Sequence, residues 1–196
     1  IGIQQGDRVA GFMPNMPETI IAMLATASIG AIWSSSSPDF GIKGVLDRFT
    51  QIEPKVLFAA NGYYYNGKKF DSLEKLNSIL NQLPSVDCVV VTPYTESNPD
   101  ISSVKNGILW DKFTDSNPSP LQFEQLPFQH PLYIMYSSGT TGLPKSIVHG
   151  SGGTLIQHLK ELRLHCNIYP EDTIFYFTTC GWMMWNWLVS NLAIGA

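Results

Sequence analysis

The chain has 196 residues, 44% of them hydrophobic and only 14% charged, with a net charge of −4. That is apolar material for one sizeable core or two small ones, and the low charge share suits a core-heavy piece of a larger protein. The acidic balance and the lack of a basic tract leave a nucleic-acid or anionic-membrane partner without electrostatic support.

In chain order, "DRVAGFMP" (Asp7 to Pro14) reads as a short strand stopped by proline. Asn15 then caps a helix through Ile20, Met23, Leu24 and Ala27, with Pro17 in its first turn and Gly30 closing it. "AIWSSSSPD" is a strand running into a polar loop, and Ile42, Val45, Leu46 and Phe49 repeat at helical spacing before Pro54. "KVLFAA" is the next strand. Asp71 with Glu74 resembles a capping box for a helix carrying Leu73, Leu76, Leu80 and Leu83, and "DCVVVTP" follows as an apolar strand. Such alternation predicts an α/β fold, a mainly parallel sheet flanked by helices on both faces, with ligands at the carboxyl ends of the strands. That rule favours the loops near Ser34 to Asp39 and Asn61 to Lys69.

Residues 95–120, rich in Ser, Asn, Asp and Pro, read as a surface excursion with one short strand at "GILWDKF". Then come a strand "PLYIMYS", a polar loop, a short strand, a glycine turn and a helix whose buried stripe is Leu155, Leu159, Leu162 and Cys166. From Thr173 to Ala196 no residue is charged, a length that could span a bilayer. Cys180-Gly181 interrupts it, and Asn186, Ser190 and Asn191 break its apolar face, so it reads as a buried strand followed by a buried helix. Cys88, Cys166 and Cys180 are scattered and odd in number, which points to reduced thiols in a cytosolic setting.

Chemistry concentrates in "YSSGTTGLPKS" (Tyr136 to Ser146). A slack linker is not expected between two β-forming hexamers, "LYIMYS" and "PKSIVH". The loop instead has the parts of a phosphate grip. Gly139 and Gly142 let backbone N–H groups approach an anion, Ser137, Ser138, Thr140 and Thr141 offer hydroxyls, and Lys145 offers charge. A lysine about 4 Å from a phosphate oxygen contributes roughly 4 kcal/mol at an effective dielectric near 20. A neutral hydrogen bond nets about 1 kcal/mol, so the hydroxyls are individually replaceable and Lys145 less so if it stays on the phosphate throughout a reaction. The loop is not a Gly-x-x-x-x-Gly-Lys-Ser/Thr motif, because Pro144 follows Gly139 by five positions and Ile147 follows Gly142 by five.

Hydroxyl-hydroxyl-Gly-Thr-Thr-Gly-x-Pro-Lys resembles the signature loop of the acyl-adenylate-forming superfamily. Ser146 stands where that pattern usually continues with glycine. "SSSSPDFG", "GVLDRFTQIEPKVLF", "YYYNGKK", "GGTLIQHLKE" and "GWMMWNW" extend the likeness over essentially the whole chain. They narrow it to the short-chain acyl-CoA synthetases, in the branch that activates acetoacetate, with acetate or propionate as alternative acids. The resemblance implies ATP and CoA as co-substrates, a Mg2+ ion on the nucleotide, and transfer of the acyl group from an adenylate to the CoA thiol. It implies that Thr140, Thr141, Gly142 and Lys145 contact the triphosphate, with Ser137, Ser138 and Gly139 beside them, and that Thr141 and Lys145 serve catalysis.

Two further assignments rest on the same resemblance. Trp182, Met183 and Met184 would line the acyl pocket, although clustered aromatics at a helix start are as often core. Lys68 would meet the 3′-phosphate of CoA, against the plainer reading of Lys68 and Lys69 as a solvated pair on a turn. His149, His158 and His165 are assigned no chemistry, and no metal ligands are identified. The superfamily's adenine-binding segment, its Tyr-x-Thr-Glu-like motif, its ribose-binding Asp and its C-terminal catalytic lysine have no counterpart here. The chain is therefore expected to be part of the N-terminal AMP-binding domain, without the C-terminal domain and inert alone, with a non-catalytic nucleotide binder as the remaining alternative.

Overall fold

The computed structural model describes residues 1–115, 120–137 and 142–196. The chain begins β1 (Arg8–Phe12), α1 (Pro17–Ser28), β2 (Ile32–Ser36), α2 (Ile42–Phe49) and β3 (Val56–Ala60). A hairpin of β4 (Gly62–Tyr65) and β5 (Lys68–Asp71) precedes α3 (Leu73–Leu80), β6 (Cys88–Thr92), β7 (Gly107–Leu109) and α4 (Trp110–Phe113). Then come β8 (Pro131–Ser137), β9 (Lys145–Gly150), α5 (Ser151–Lys160) and α6 (Met183–Val189). The main sheet runs β7-β6-β3-β1-β2-β8-β9, parallel throughout except for the antiparallel pair β8–β9.

Period-two alternation sends neighbouring residues to opposite faces, and both faces are covered. Ala10, Phe12, Leu57, Ala59, Val89 and Val91 pack with Val45 and Phe49 of α2 and Leu76 and Ile79 of α3. Val9, Trp33, Val56, Phe58, Val90 and Tyr133 pack on the other side with Ala22 and Met23 of α1 and Trp185 of α6. The central strands β1, β2 and β3 are buried along almost their whole length, as expected of a sheet with helices on both sides. The predicted fold class holds.

Several local expectations do not. Asn15 does not cap α1, whose N-cap is Met16 with no side-chain bond. Asn15 Oδ1 instead accepts the indole N–H of Trp185 at 2.8 Å. Of the predicted α1 stripe only Met23 is buried, while Leu24 is exposed and Thr19 and Thr26 are inside. Both threonine hydroxyls donate to backbone carbonyls, of Pro14 and Ala22, each at 2.7 Å, which removes the penalty for burying them. Asp71 does not form a capping box; its carboxylate, two residues ahead of the helix, accepts the Leu73 N–H at 2.9 Å. The 95–120 excursion is partly built into the fold, since β7 pairs with β6 and Val104 is buried.

The helix over 151–160 continues as a π-helical turn, Glu161–His165. Of its predicted stripe Leu162 is buried, whereas Leu155 and Cys166 are exposed and His158 is inside. The largest departure is at residues 173–179, which form no strand and lie largely exposed. An extended segment becomes a strand only where a neighbour takes its N–H and C=O groups, and no described strand pairs with it. The helix expected beyond it is α6, with Trp185, Asn186, Trp187 and Val189 buried.

Candidate active site

The polar loop joins two hydrogen-bonded neighbours. Ser137 ends β8, Lys145 begins β9, and the two residues pair directly across the ladder. The loop's first hydroxyl and its lysine therefore flank its mouth, at the carboxyl end of β8, the end of a parallel sheet where ligands collect. Ser138, Gly139, Thr140 and Thr141 lie outside the described residues. Gly142 is exposed, and a Cβ there would meet nothing within 4 Å. Lys145 is exposed, and no carboxylate among the described residues pairs with it. A solvated ammonium at a loop mouth with no internal counter-ion is disposed to take an external anion.

The underside of this hairpin rests on the C-terminal end of α2. Tyr136 Oη donates to Arg48 O at 3.3 Å and accepts from Ser34 Oγ at 3.2 Å. Burial pushes the Tyr136 phenol up to about 12, so it remains a neutral donor at neutral pH. The Arg48 guanidinium lies over the rings of Phe40 and Tyr136, 4.7 and 5.6 Å from their centroids. Beyond it, Gln51 Nε2 donates to Pro144 O and Gln51 Oε1 accepts from Ser146 Oγ, both at 2.9 Å.

A cavity of about 500 Å³ opens where the chain switches direction across the sheet, between the ends of β1 and β3. Asn15, Asp39, Tyr63, Tyr64, Tyr94 and Phe177 are among its walls. Tyr63 stacks on Phe70 at 5.1 Å and Tyr64 meets Tyr94 edge-on at 5.9 Å. Asn61 holds the β4–β5 hairpin to the sheet: it is buried, and its Oδ1 accepts the N–H groups of Tyr94 and Thr95 at 2.7 and 3.1 Å. Lys68 is at the start of β5, exposed. Its neighbour Lys69 is engaged by Glu96 at 2.5 Å, and that hydrogen bond raises its pKa.

Sequence reasoning missed Lys75, which donates to Pro38 O at 2.8 Å and sits over the rings of Phe12 and Tyr63. It ties the Pro38–Asp39 turn to the hairpin, where Ser37 Oγ also donates to Asp39. A lysine on a polar helix face carries no local sign of that task.

The Cys180–Met184 turn is anchored to β2, because Ser35 Oγ donates to Cys180 O at 2.6 Å. The structure separates the three predicted pocket residues. Trp182 is the exposed N-cap residue of α6. Met183 lines a second cavity, of about 580 Å³, with Val148 and His149 of β9, Thr154 and His158 of α5, and Phe128. Met184 packs instead with Leu162, Ile168 and Trp187. His149 and His158 are both lowered by burial. His158 Nδ1 is 2.8 Å from Ser190 Oγ. Among the described residues no group of three or more His, Cys, Asp or Glu side chains could hold a metal ion. No helix among them is long and apolar enough to cross a membrane.

The parallel sheet thus carries a hydroxyl-rich, lysine-ended loop at a strand's carboxyl end. The chain belongs to the AMP-binding enzymes, whose family pattern matches residues 1–196. An acetoacetyl-CoA synthetase of Gallus gallus is 57% identical over 203 residues, covering 100% of this chain and 30% of that protein. The acetoacetyl-coenzyme A synthetase of Rhizobium meliloti (strain 1021) is 57% identical over 197 residues, with the same shares. Among solved structures, an acetoacetyl-CoA synthetase from Streptomyces lividans matches 99% of this chain and 29% of its own, at 46% identity and a TM-score of 0.92. The chain thus spans about 30% of the length of these curated relatives.

Proposed function

We propose that the chain is the triphosphate-gripping part of a ligase that joins acetoacetate to CoA at the expense of ATP. In the first step a carboxylate oxygen of acetoacetate attacks the α-phosphorus of ATP, forming the acyl-adenylate and releasing pyrophosphate. In the second the CoA thiol attacks the acyl carbon, AMP leaves, and the thiol proton passes to solvent. The observation that carries this reading is the pairing of Ser137 with Lys145, which sets the lysine at the mouth of the loop. The 57% identity to acetoacetyl-CoA synthetases supports the choice of acid.

The first step concentrates negative charge on the departing pyrophosphate, and a preoriented cation with hydroxyl and N–H donors stabilises it. Lys145 supplies the cation. Ser137, Ser138, Gly139, Thr140, Thr141 and Gly142 supply the donors, with Thr141 and Lys145 on the reacting phosphates. Mg2+ shares the phosphate charge when ATP is bound. Trp182, Met183 and Met184 are assigned to the acyl pocket and Lys68 to a CoA phosphate. The three free cysteines fit a reducing cytosolic compartment.

The test is Lys145→Ala in the protein expressed from the complete reading frame that encodes this chain, followed by acetoacetate-dependent ATP–pyrophosphate exchange. We expect the KM for MgATP to rise at least about tenfold, and acetoacetate to exceed acetate and propionate in kcat/KM. Equal rates with acetate or propionate would reassign the acid. An unchanged KM would remove the loop from phosphate binding. The isolated 196 residues are expected to show no exchange.

A further inference from the structure

Pro144 and Ser146, the two neighbours of Lys145, are held by one side chain distant in the sequence, that of Gln51. It lies two residues beyond α2, and its amide makes three hydrogen bonds. Nε2 donates to Asp47 O at 2.6 Å and to Pro144 O at 2.9 Å, while Oε1 accepts from Ser146 Oγ at 2.9 Å. Both N–H groups and the carbonyl are thereby used, which fixes the orientation of the amide. The bond to Asp47 anchors the side chain to its own helix, and the other two reach across to the loop base. The Tyr136–Arg48 bond fixes β8 to the same end of α2. Ser146 matters because a glycine there would have no hydroxyl to give.

We propose that Gln51 is a positioning residue for the phosphate loop, bracing Lys145 from both sides through Pro144 O and Ser146 Oγ. It touches no substrate. The ladder pairs Lys145 with Ser137 and Ser146 with Tyr136, and the bonds to Gln51 tie that pairing to the end of α2 on both sides of the lysine. The consequence is selective for the nucleotide: without the brace kcat/KM for MgATP falls, because Lys145 faces both the bound triphosphate and the departing pyrophosphate, while KM for acetoacetate does not change. This inference rests on the reading of the loop as a triphosphate grip.

Gln51→Met keeps the length of the side chain and removes all three bonds. In the full-length ligase we expect about a fivefold to tenfold fall in kcat/KM for MgATP, the equivalent of one to two modest hydrogen bonds. The KM for acetoacetate should stay within about twofold. Ser146→Ala removes one bond and should give about a twofold to threefold fall. The double variant should be no worse than Gln51→Met alone, because the two changes act through one brace. Lys145→Ala, measured beside them, separates the two readings. If it lowers kcat/KM for MgATP and Gln51→Met does not, the brace is wrong and the loop assignment stands. If Lys145→Ala has no effect, the loop assignment falls and the brace with it. A Gln51→Met enzyme that loses kcat and both KM values together, with a lowered melting temperature, would show a merely structural role and overturn the proposal. Should that variant not fold, Ser146→Ala decides alone, and an unchanged kcat/KM for MgATP would overturn the brace.

Discussion

Gly11, the fourth residue of β1, faces the indole of Trp33. A Cβ built there would stand 2.7 Å from both Cη2 and Cζ2 of Trp33. Carbon atoms settle at about 3.5–4.0 Å, so Gly11→Ala requires the indole to retreat by about 1 Å. Trp33 has nowhere to go. It is 1% exposed, and its ring leans on Phe58 at 6.3 Å, which is packed in turn against Trp110 and Phe113 at 5.9 and 5.7 Å. Overpacking of this kind costs about 1–3 kcal/mol. In a chain of this size each kcal/mol lowers the melting temperature by about 2–4 °C, so a fall of roughly 2–12 °C is expected in a calorimetric or circular-dichroism melt. Trp33→Leu alone opens a cavity and costs roughly 2–4 kcal/mol. In the double variant the alanine fills part of that cavity, so the two costs should fall short of their sum by at least about 1 kcal/mol. A Gly11→Ala protein melting within about 1 °C of the parent, or strictly additive costs, would refute the packing argument.

Two further outcomes follow from burial. His149 and His158 are held below the ordinary imidazole range by desolvation, so between their folded values and about 6.5 the unfolded chain binds more protons. Stability should therefore fall as pH drops below about 6.5, and replacing both residues with Asn should flatten that limb in urea titrations at stepped pH. Asp7, lowered chiefly by its hydrogen bond to Lys55, adds a separate loss only at more acid pH, as the carboxylate protonates. The thiols should divide by exposure: Cys166 is exposed, Cys88 half-buried, and Cys180 buried with its pKa pushed up by desolvation. A native-state titration with a thiol reagent should modify Cys166 first and leave Cys180 intact until the chain unfolds.

The strand and helix order was legible because apolar runs and helical stripes report burial, and in an α/β sheet burial decides pairing. Where polar groups had other partners, pattern misled. Thr19 and Thr26 go inside because each hydroxyl finds a carbonyl within its own neighbourhood, a bond no hydropathy pattern encodes. Asn15 looks like a cap, yet its side chain serves Trp185, 170 residues away. Glycine, hydroxyl and lysine types made the loop legible as a candidate anion grip, the assignment that Lys145→Ala tests. Its support was not, because Gln51 reaches Pro144 and Ser146 over 93 and 95 residues, and only the fold brings them together. The uncharged run from residue 173 was half legible: its helix is fixed by a core it helps to form, while its strand depends on a neighbour that no local pattern reveals.

That uncovered stretch bears on how the chain behaves at high concentration. Residues 173–179, TIFYFTT, contain no charge, proline or glycine, and Phe175 and Phe177 are 83% and 86% exposed. Such a segment supplies both open backbone edges and apolar side chains for pairing with its own copy in another molecule. A charge in place of Phe175 is the gatekeeper this segment lacks.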